Sequence, residues 1–276
     1  MIIITDIKNE REYNKEEFKM YGEDFSKLLA LSKNKLNFLN NNKKGYLISA
    51  VLAGLFVGFG IMLAFTVGGT LNEVQSPFTK VVMGLSFSVA LSLIIFAGAE
   101  LFTGNNLVMA SGYLGEEVKI KGVLRVWIIS YLGNFLGSIL AAFLYYASGL
   151  WRGTSGEYIA TTATSKINVL PNELFIRGIL CNTLVCLAVW CSYRMKEESG
   201  KILLMSLCIY VFVAVGFEHS IANMTLLIIG YLVPYGNVTL VGILYNLFIV
   251  TLGNIVGGVC FVAIPYYMIS RIKKAH

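Results

Sequence analysis

The stretch Gly216-Phe217-Glu218-His219-Ser220-Ile221-Ala222-Asn223 sets a carboxylate, an imidazole, a hydroxyl and an amide together inside an apolar run, residues 202–233. An ionisable side chain at membrane depth costs about 3 kcal/mol or more, so it is normally buried in protein and used there. Catalysis by Glu218, His219 and Ser220 is disfavoured. Consecutive residues project to different sides of a helix and cannot chain a nucleophile to its base and orienter. A metal centre is disfavoured too, since His276 at the terminus is the one other imidazole in the chain. What remains is a titratable, hydrogen-bonding group that meets a solute at mid-membrane. No cofactor is expected.

The elements that must position this cluster contain a repeat. Shifted by 118 positions, Gly98, Glu100, Asn105, Gly112, Tyr113 and Leu114 match Gly216, Glu218, Asn223, Gly230, Tyr231 and Leu232. Further on, Leu132-Gly133-Asn134-x-x-Gly137 matches Leu252-Gly253-Asn254-x-x-Gly257. Six apolar runs carry these motifs, at about 45–67, 81–110, 123–147, 173–193, 202–233 and 239–268. The chain is therefore read as an all-α integral membrane protein of six transmembrane helices, two three-helix repeats with inverted topology. Helices 2 and 5 are expected to break at the midplane, where such repeats place their sites. Unpaired backbone is forbidden in lipid, so the broken segments must line a cavity or be buried in protein. Glu100 and Glu218 are expected to accept hydrogen bonds from the freed backbone N–H groups. Asn105, Asn223, Asn134, Asn182 and Asn254 are expected to brace the breaks. His219 has no counterpart, because Leu101 stands at the equivalent position. It is thus the residue to single out for function.

Composition agrees with a membrane bundle: of 276 residues, 56% are hydrophobic and 14% charged, and the mean hydropathy is +0.69. The net charge of +6 reads as flanking charge that sets topology rather than as a nucleic-acid footprint. Basic residues crowd the N-terminus, the second-to-third and fourth-to-fifth loops, and the C-terminus. Both termini are therefore expected to be cytoplasmic, in a bacterial-type inner (plasma) membrane. Residues 1–44 are read as a cytoplasmic segment bearing an amphipathic helix, with Phe18, Tyr21, Phe25, Leu28, Leu29, Leu36 and Leu39 on its apolar side. It is read as an anchor rather than as a cover for a pore mouth. Residues 45–268 form the six-span channel domain and 269–276 a cytoplasmic tail. Residues 148–172 are read as a polar loop, and Pro265 as a kink in the sixth span. The five cysteines lie in apolar runs without metal-ligand spacing and read as packing residues.

Three signatures together resemble the formate/nitrite transporter family of pentameric, aquaporin-like channels. They are Gly98-Ala99-Glu100-Leu101-Phe102-Thr103-Gly104-Asn105, Asn182-Thr183-Leu184-Val185-Cys186-Leu187-Ala188-Val189-Trp190, and the opening stretch continued through Met224. The resemblance implies a pore through each protomer of a homopentamer, with two apolar constrictions around a small chamber. Leu101 and Phe212, with Val185 nearby, would form the cytoplasmic-side constriction. Phe87 and Leu91 would contribute to the other. Thr103, in the linker of the second span, would hydrogen-bond His219 or the solute. Lys166 would be the lysine of the external vestibule, drawing anions inward. The implied partners are small monovalent weak-acid anions (formate, nitrite or hydrosulfide), protons and the lipid bilayer. A bare anion faces a prohibitive dehydration cost at an apolar constriction, whereas its protonated acid does not. His219 would either supply the proton or offer a hydrogen bond while protonation occurs in the vestibule. A channel for a neutral solute such as water or ammonia is the alternative, although the Asn-Pro-Ala boxes of aquaporins are absent.

Overall fold

The computed structural model describes residues 2–270, with side chains described from Tyr21 onward. The expected tail beyond Ser270 and the Phe18 side chain fall outside the described residues. Among the described residues all regular structure is helical, and six helical stretches are long and apolar enough to cross a membrane. They are α2 (Lys43–Glu73), α3 (Thr79–Phe87) with α4 (Val89–Ala97), α6 (Ile120–Ser148), α8 (Pro171–Arg194), α9 (Glu198–Val215), and α11 (Leu240–Gly258) with its extension to Ser270. Shorter helices α5 (Phe102–Leu114) and α10 (Ser220–Leu232) follow the second and fifth spans. The chain is a multi-pass membrane protein.

The two breaks are built alike. Helices α4 and α9 each end on a left-handed glycine, Gly98 at φ 76° and Gly216 at φ 91°. There a side chain would clash with backbone, so glycine is the residue that fits. Residues 98–101 and 216–219 separate these helices from α5 and α10. The freed backbone groups are taken by amides, not by the glutamates. Asn134 on α6 accepts from Phe102 N at 2.9 Å and donates to the carbonyls of Ala50 and Glu100 at 2.8 and 2.9 Å. Asn254 on α11 repeats this with Ser220 N at 2.9 Å and the carbonyls of Gly178 and Glu218 at 2.8 and 2.9 Å. The expected role of Glu100 and Glu218 as backbone acceptors is thereby corrected. A planar amide both accepts and donates, which a linker with one orphan N–H and one orphan C=O requires and a carboxylate cannot supply.

Close pairs hold the spans around these breaks. Helix α2 packs on α6, and α8 on α11. A Cβ at Gly54 would meet the Asn134 carbonyl, and one at Gly253 the Phe175 carbonyl. The small-residue motifs thus bring backbones together where lipid supplies no hydrophobic drive between helices.

Three further expectations change. Residues 148–172 contain a helix, α7 (Thr154–Ile167), whose Ile159, Ala160 and Ala163 are buried. Near Pro265 the sixth span widens into a π-helical turn, Val259–Ala263, before α12 (Ile264–Ser270). The proline ring cannot pack against the carbonyl four residues back, and the wider turn moves that carbonyl aside. Helix α1 (Ile2–Asn41) is seated on the bundle, with Phe25 and Leu28 buried against Leu107, Val108, Trp190 and Val262. It therefore does more than lie at a membrane surface.

Candidate functional site

Three cavities lie in succession around the two breaks. One, of about 170 Å³, is lined by Lys166, Lys80, Phe87, Phe212, His219 and Asn223 among others. A central chamber of about 10 Å³ is lined by Phe87, Leu91, Ile94, Leu101, Val185, Phe212 and His219 among others. A third, of about 300 Å³, is lined by Lys35, Leu31, Phe38, Leu91, Ile94, Glu100 and Leu101 among others. Shared walls define what separates them. Phe87, Phe212 and His219 stand between the Lys166-side cavity and the chamber. Leu91, Ile94 and Leu101 stand between the chamber and the Lys35-side cavity.

The expected grouping of the apolar residues is thus corrected. Phe212 pairs with Phe87, ring centroids 5.9 Å apart and edge-on, and Leu91 pairs with Leu101. Phe87 and Leu91 are four residues apart on one face of the second span, and the difference in height of one turn places them at different partitions. A chamber of this volume holds about one water molecule. The space beside His219 is therefore nearly filled by these side chains, and a solute larger than water must displace them to occupy it.

His219 is the N-cap of α10. Its Nδ1 accepts a hydrogen bond from Ala222 N at 3.1 Å, and its Nε2 lies 3.0 Å from Thr103 Oγ1. An imidazole nitrogen that accepts from a backbone N–H carries no proton, so the proton sits on Nε2 and the ring is neutral. Phe212 stacks on the ring at 5.9 Å and 15°. Thr103 lies in the first turn of α5, not in the linker, and it lines none of the three cavities. It thus orients the histidine from behind.

The two glutamates sit in matching ion pairs. Lys35 Nζ lies 2.7 Å from each Glu100 oxygen, while Tyr46 OH and Asn105 Nδ2 donate to Oε2 at 3.0 and 3.1 Å. Lys166 Nζ donates to Glu218 Oε2 at 2.7 Å, and Asn223 Nδ2 donates to the same atom at 2.6 Å. Asn246 closes the second network, accepting from Asn223 at 2.9 Å and donating to the Lys166 carbonyl at 3.0 Å. Lys166 is therefore half of a buried pair rather than a free vestibule charge. Lys80 lines the same cavity, is exposed, and has no carboxylate partner among the described residues. Asn182 donates to the carbonyls of Thr103 and Asn254 at 3.3 and 2.6 Å, joining the two halves.

Sequence reasoning passed over Lys35, Tyr46, Lys80 and Asn246. Lys35 lay among ordinary flanking charges, and its partner is 65 residues away. Only Tyr46 gave a usable signal, a hydroxyl one turn into an apolar span. Nor did the amphipathic pattern show that α1 presents Leu31, Lys35 and Phe38 to a cavity.

Two broken spans meeting at a capped histidine, between apolar walls and two cavities, are consistent with a membrane channel. The match is specific. The family model described as "Formate/nitrite transporter" fits residues 23–268, and the chain belongs to that family. It is 38% identical to the nitrite transporter NirC of Salmonella typhimurium over 229 residues, 82% of this chain and 84% of that one. A solved structure described as an "FNT family ion channel" superposes with a TM-score of 0.83 at 35% identity, covering 89% of this chain and 98% of that one. Another, a "Pentameric formate channel with formate bound", gives 0.74 at 31% identity over 82% and 96%. These relatives are transporters and channels, not enzymes.

Proposed function

We propose that the chain is a homopentameric channel for small monovalent weak-acid anions such as formate, nitrite or hydrosulfide, with one pore in each protomer. The observation that carries this reading is the succession of cavity, Phe87–Phe212, His219 chamber, Leu91–Leu101 and cavity. Lys80 and the N-terminus of α10 make the Lys166-side cavity positive, which concentrates anions there. The anion takes a proton delivered as hydronium from the bulk solution on that side, leaving water behind, and passes Phe87–Phe212 as a small neutral acid. In the chamber the permeant molecule competes with Thr103 Oγ1 for the His219 Nε2–H, while Nδ1 stays on Ala222 N. Because Nδ1 is committed to Ala222 N, the ring is a poor proton relay: giving up the Nε2 proton would leave an imidazolate. The solute then passes Leu91–Leu101 and ionises in the Lys35-side cavity. The crowd of Lys and Arg on the Lys35 side makes that face cytoplasmic in a bacterial plasma membrane, with the N-terminus inside.

Proteoliposome flux with formate, nitrite, hydrosulfide, acetate and lactate across pH tests the reading. Saturable flux of the smallest anions, increasing as pH falls toward their pKa values, is expected. Water or ammonia permeation without anion flux would establish the neutral-solute alternative.

A further inference from the structure

Away from the pore, α1, α2 and α6 enclose a cavity of about 450 Å³, lined by Lys43, Lys44 and Arg125 together with Leu39, Leu47, Ile128 and Ile129. Its composition is two-sided. The three cations have no carboxylate partner among the described residues, whereas Lys27, Lys33, Lys35 and Arg194 on the same side of the bundle all do. Arg125 is pre-oriented: its Nη1 donates to Asn40 Oδ1 at 3.0 Å, at the end of α1. The apolar wall runs into the outer surface of the bundle. There Leu47, Ile48 and Leu52 of α2 and Leu124, Ile128 and Leu132 of α6 are exposed, between 38% and 61%.

Depth decides what can fill such a cavity. Helix α2 has 31 residues and is about 46 Å long, against a hydrocarbon core of about 30 Å. Its first turn, which carries Lys43 and Lys44, thus reaches the headgroup layer, while Leu47 and Ile48 face acyl chains. An occupant must be anionic at one end and apolar at the other. A soluble anion would leave the apolar wall in contact with lipid tails and gain nothing from it. A zwitterionic headgroup would bring a fourth positive group beside Lys43, Lys44 and Arg125.

We propose that this cavity binds the headgroup of an anionic phospholipid. The phosphate lies between Lys43, Lys44 and Arg125, and an acyl chain runs along Leu47 and Ile128. Basic pockets between membrane helices bind anionic headgroups by the same attraction. Since Asn40 holds Arg125, the bound lipid also ties the end of α1 to α2 and α6, the helix whose Lys35 reaches the pore-side cavity.

The test is thermal unfolding of the full-length protein in a neutral detergent, titrated with dioctanoyl phosphatidylglycerol, dioctanoyl phosphatidylcholine or inorganic phosphate. The wild type is expected to gain stability with phosphatidylglycerol alone. Lys43→Gln/Lys44→Gln is expected to need about twenty-five-fold more of it for the same gain, since each of the two basic contacts contributes on the order of a fivefold factor. The control Lys119→Gln/Lys121→Gln removes the same charge from exposed positions on the same side that do not line the cavity. It is expected to titrate as the wild type does. Equal effects of the two lipids, an equal loss in the control, or an unchanged titration in the Lys43/Lys44 variant would each overturn the proposal. Stabilisation by phosphate matching that by phosphatidylglycerol would overturn it as well, by making the cavity a site for soluble anions.

Discussion

At the scale of single residues the site depends on how each polar group is committed. His219 commits Nδ1 to the α10 cap and sets Nε2 beside Thr103, so its orientation is fixed and its one N–H is shared between Thr103 and whatever enters the chamber. Lys166 is committed to Glu218, whose side chain is 2% exposed. Removing one member of a buried pair leaves an uncompensated charge, at a cost of about 3–5 kcal/mol. Lys166→Met is therefore expected to lower the thermal unfolding midpoint strongly, and Lys166→Met/Glu218→Gln to recover most of the loss. If the single variant unfolds like the wild type, Lys166 is a free vestibule charge after all and the pair is incidental. The sequence marked Glu218 and His219 correctly as unusual for their depth, because an ionisable residue in an apolar run is visible in one dimension. It could not show that Lys166, 52 positions earlier, was already taken.

At the scale of elements the breaks are the organising feature, and their positions were legible. Glycine, glutamate and asparagine recur at the same offsets in both halves, and the structure places Gly98 and Gly216 in the same left-handed cap. Substitution by alanine there forces a Cβ into a conformation that costs about 1–2 kcal/mol. Gly216→Ala is expected to destabilise the protein by that amount and to reduce flux, because α10 carries His219 as its cap. Equal flux and an equal unfolding midpoint would show that the glycine is not needed for the break. Helix α7 was missed because its Thr- and Ser-rich sequence has a loop's composition, and it is the packing of Ile159, Ala160 and Ala163 that settles it as helix. The split at Ser88 was hidden within a continuous apolar run. Phe87 and Leu91, four residues apart on one face, read as one group in the sequence, whereas a turn of height sets them at opposite partitions.

At the scale of the whole molecule, three helices and the linker at residues 98–101 must converge before Phe87, Phe212, Leu91 and Leu101 become partitions of one path. No spacing along the chain records that convergence; the family resemblance supplied the residues but grouped them wrongly. With both partitions closed, the path excludes a hydrated anion, and passage as a neutral acid makes flux depend on pH wherever the proton is acquired. The proposed site of that step is the Lys166-side cavity rather than His219. The most direct measurement is formate uptake into proteoliposomes as a function of pH, for the wild type and for His219→Asn. Asparagine can still cap α10 and donate a hydrogen bond, but it cannot titrate. Weakening of one hydrogen bond in the chamber is expected to lower the rate about tenfold while leaving the shape and midpoint of the pH profile unchanged. A pH profile that flattens or shifts in His219→Asn would contradict the account and make the histidine the proton donor.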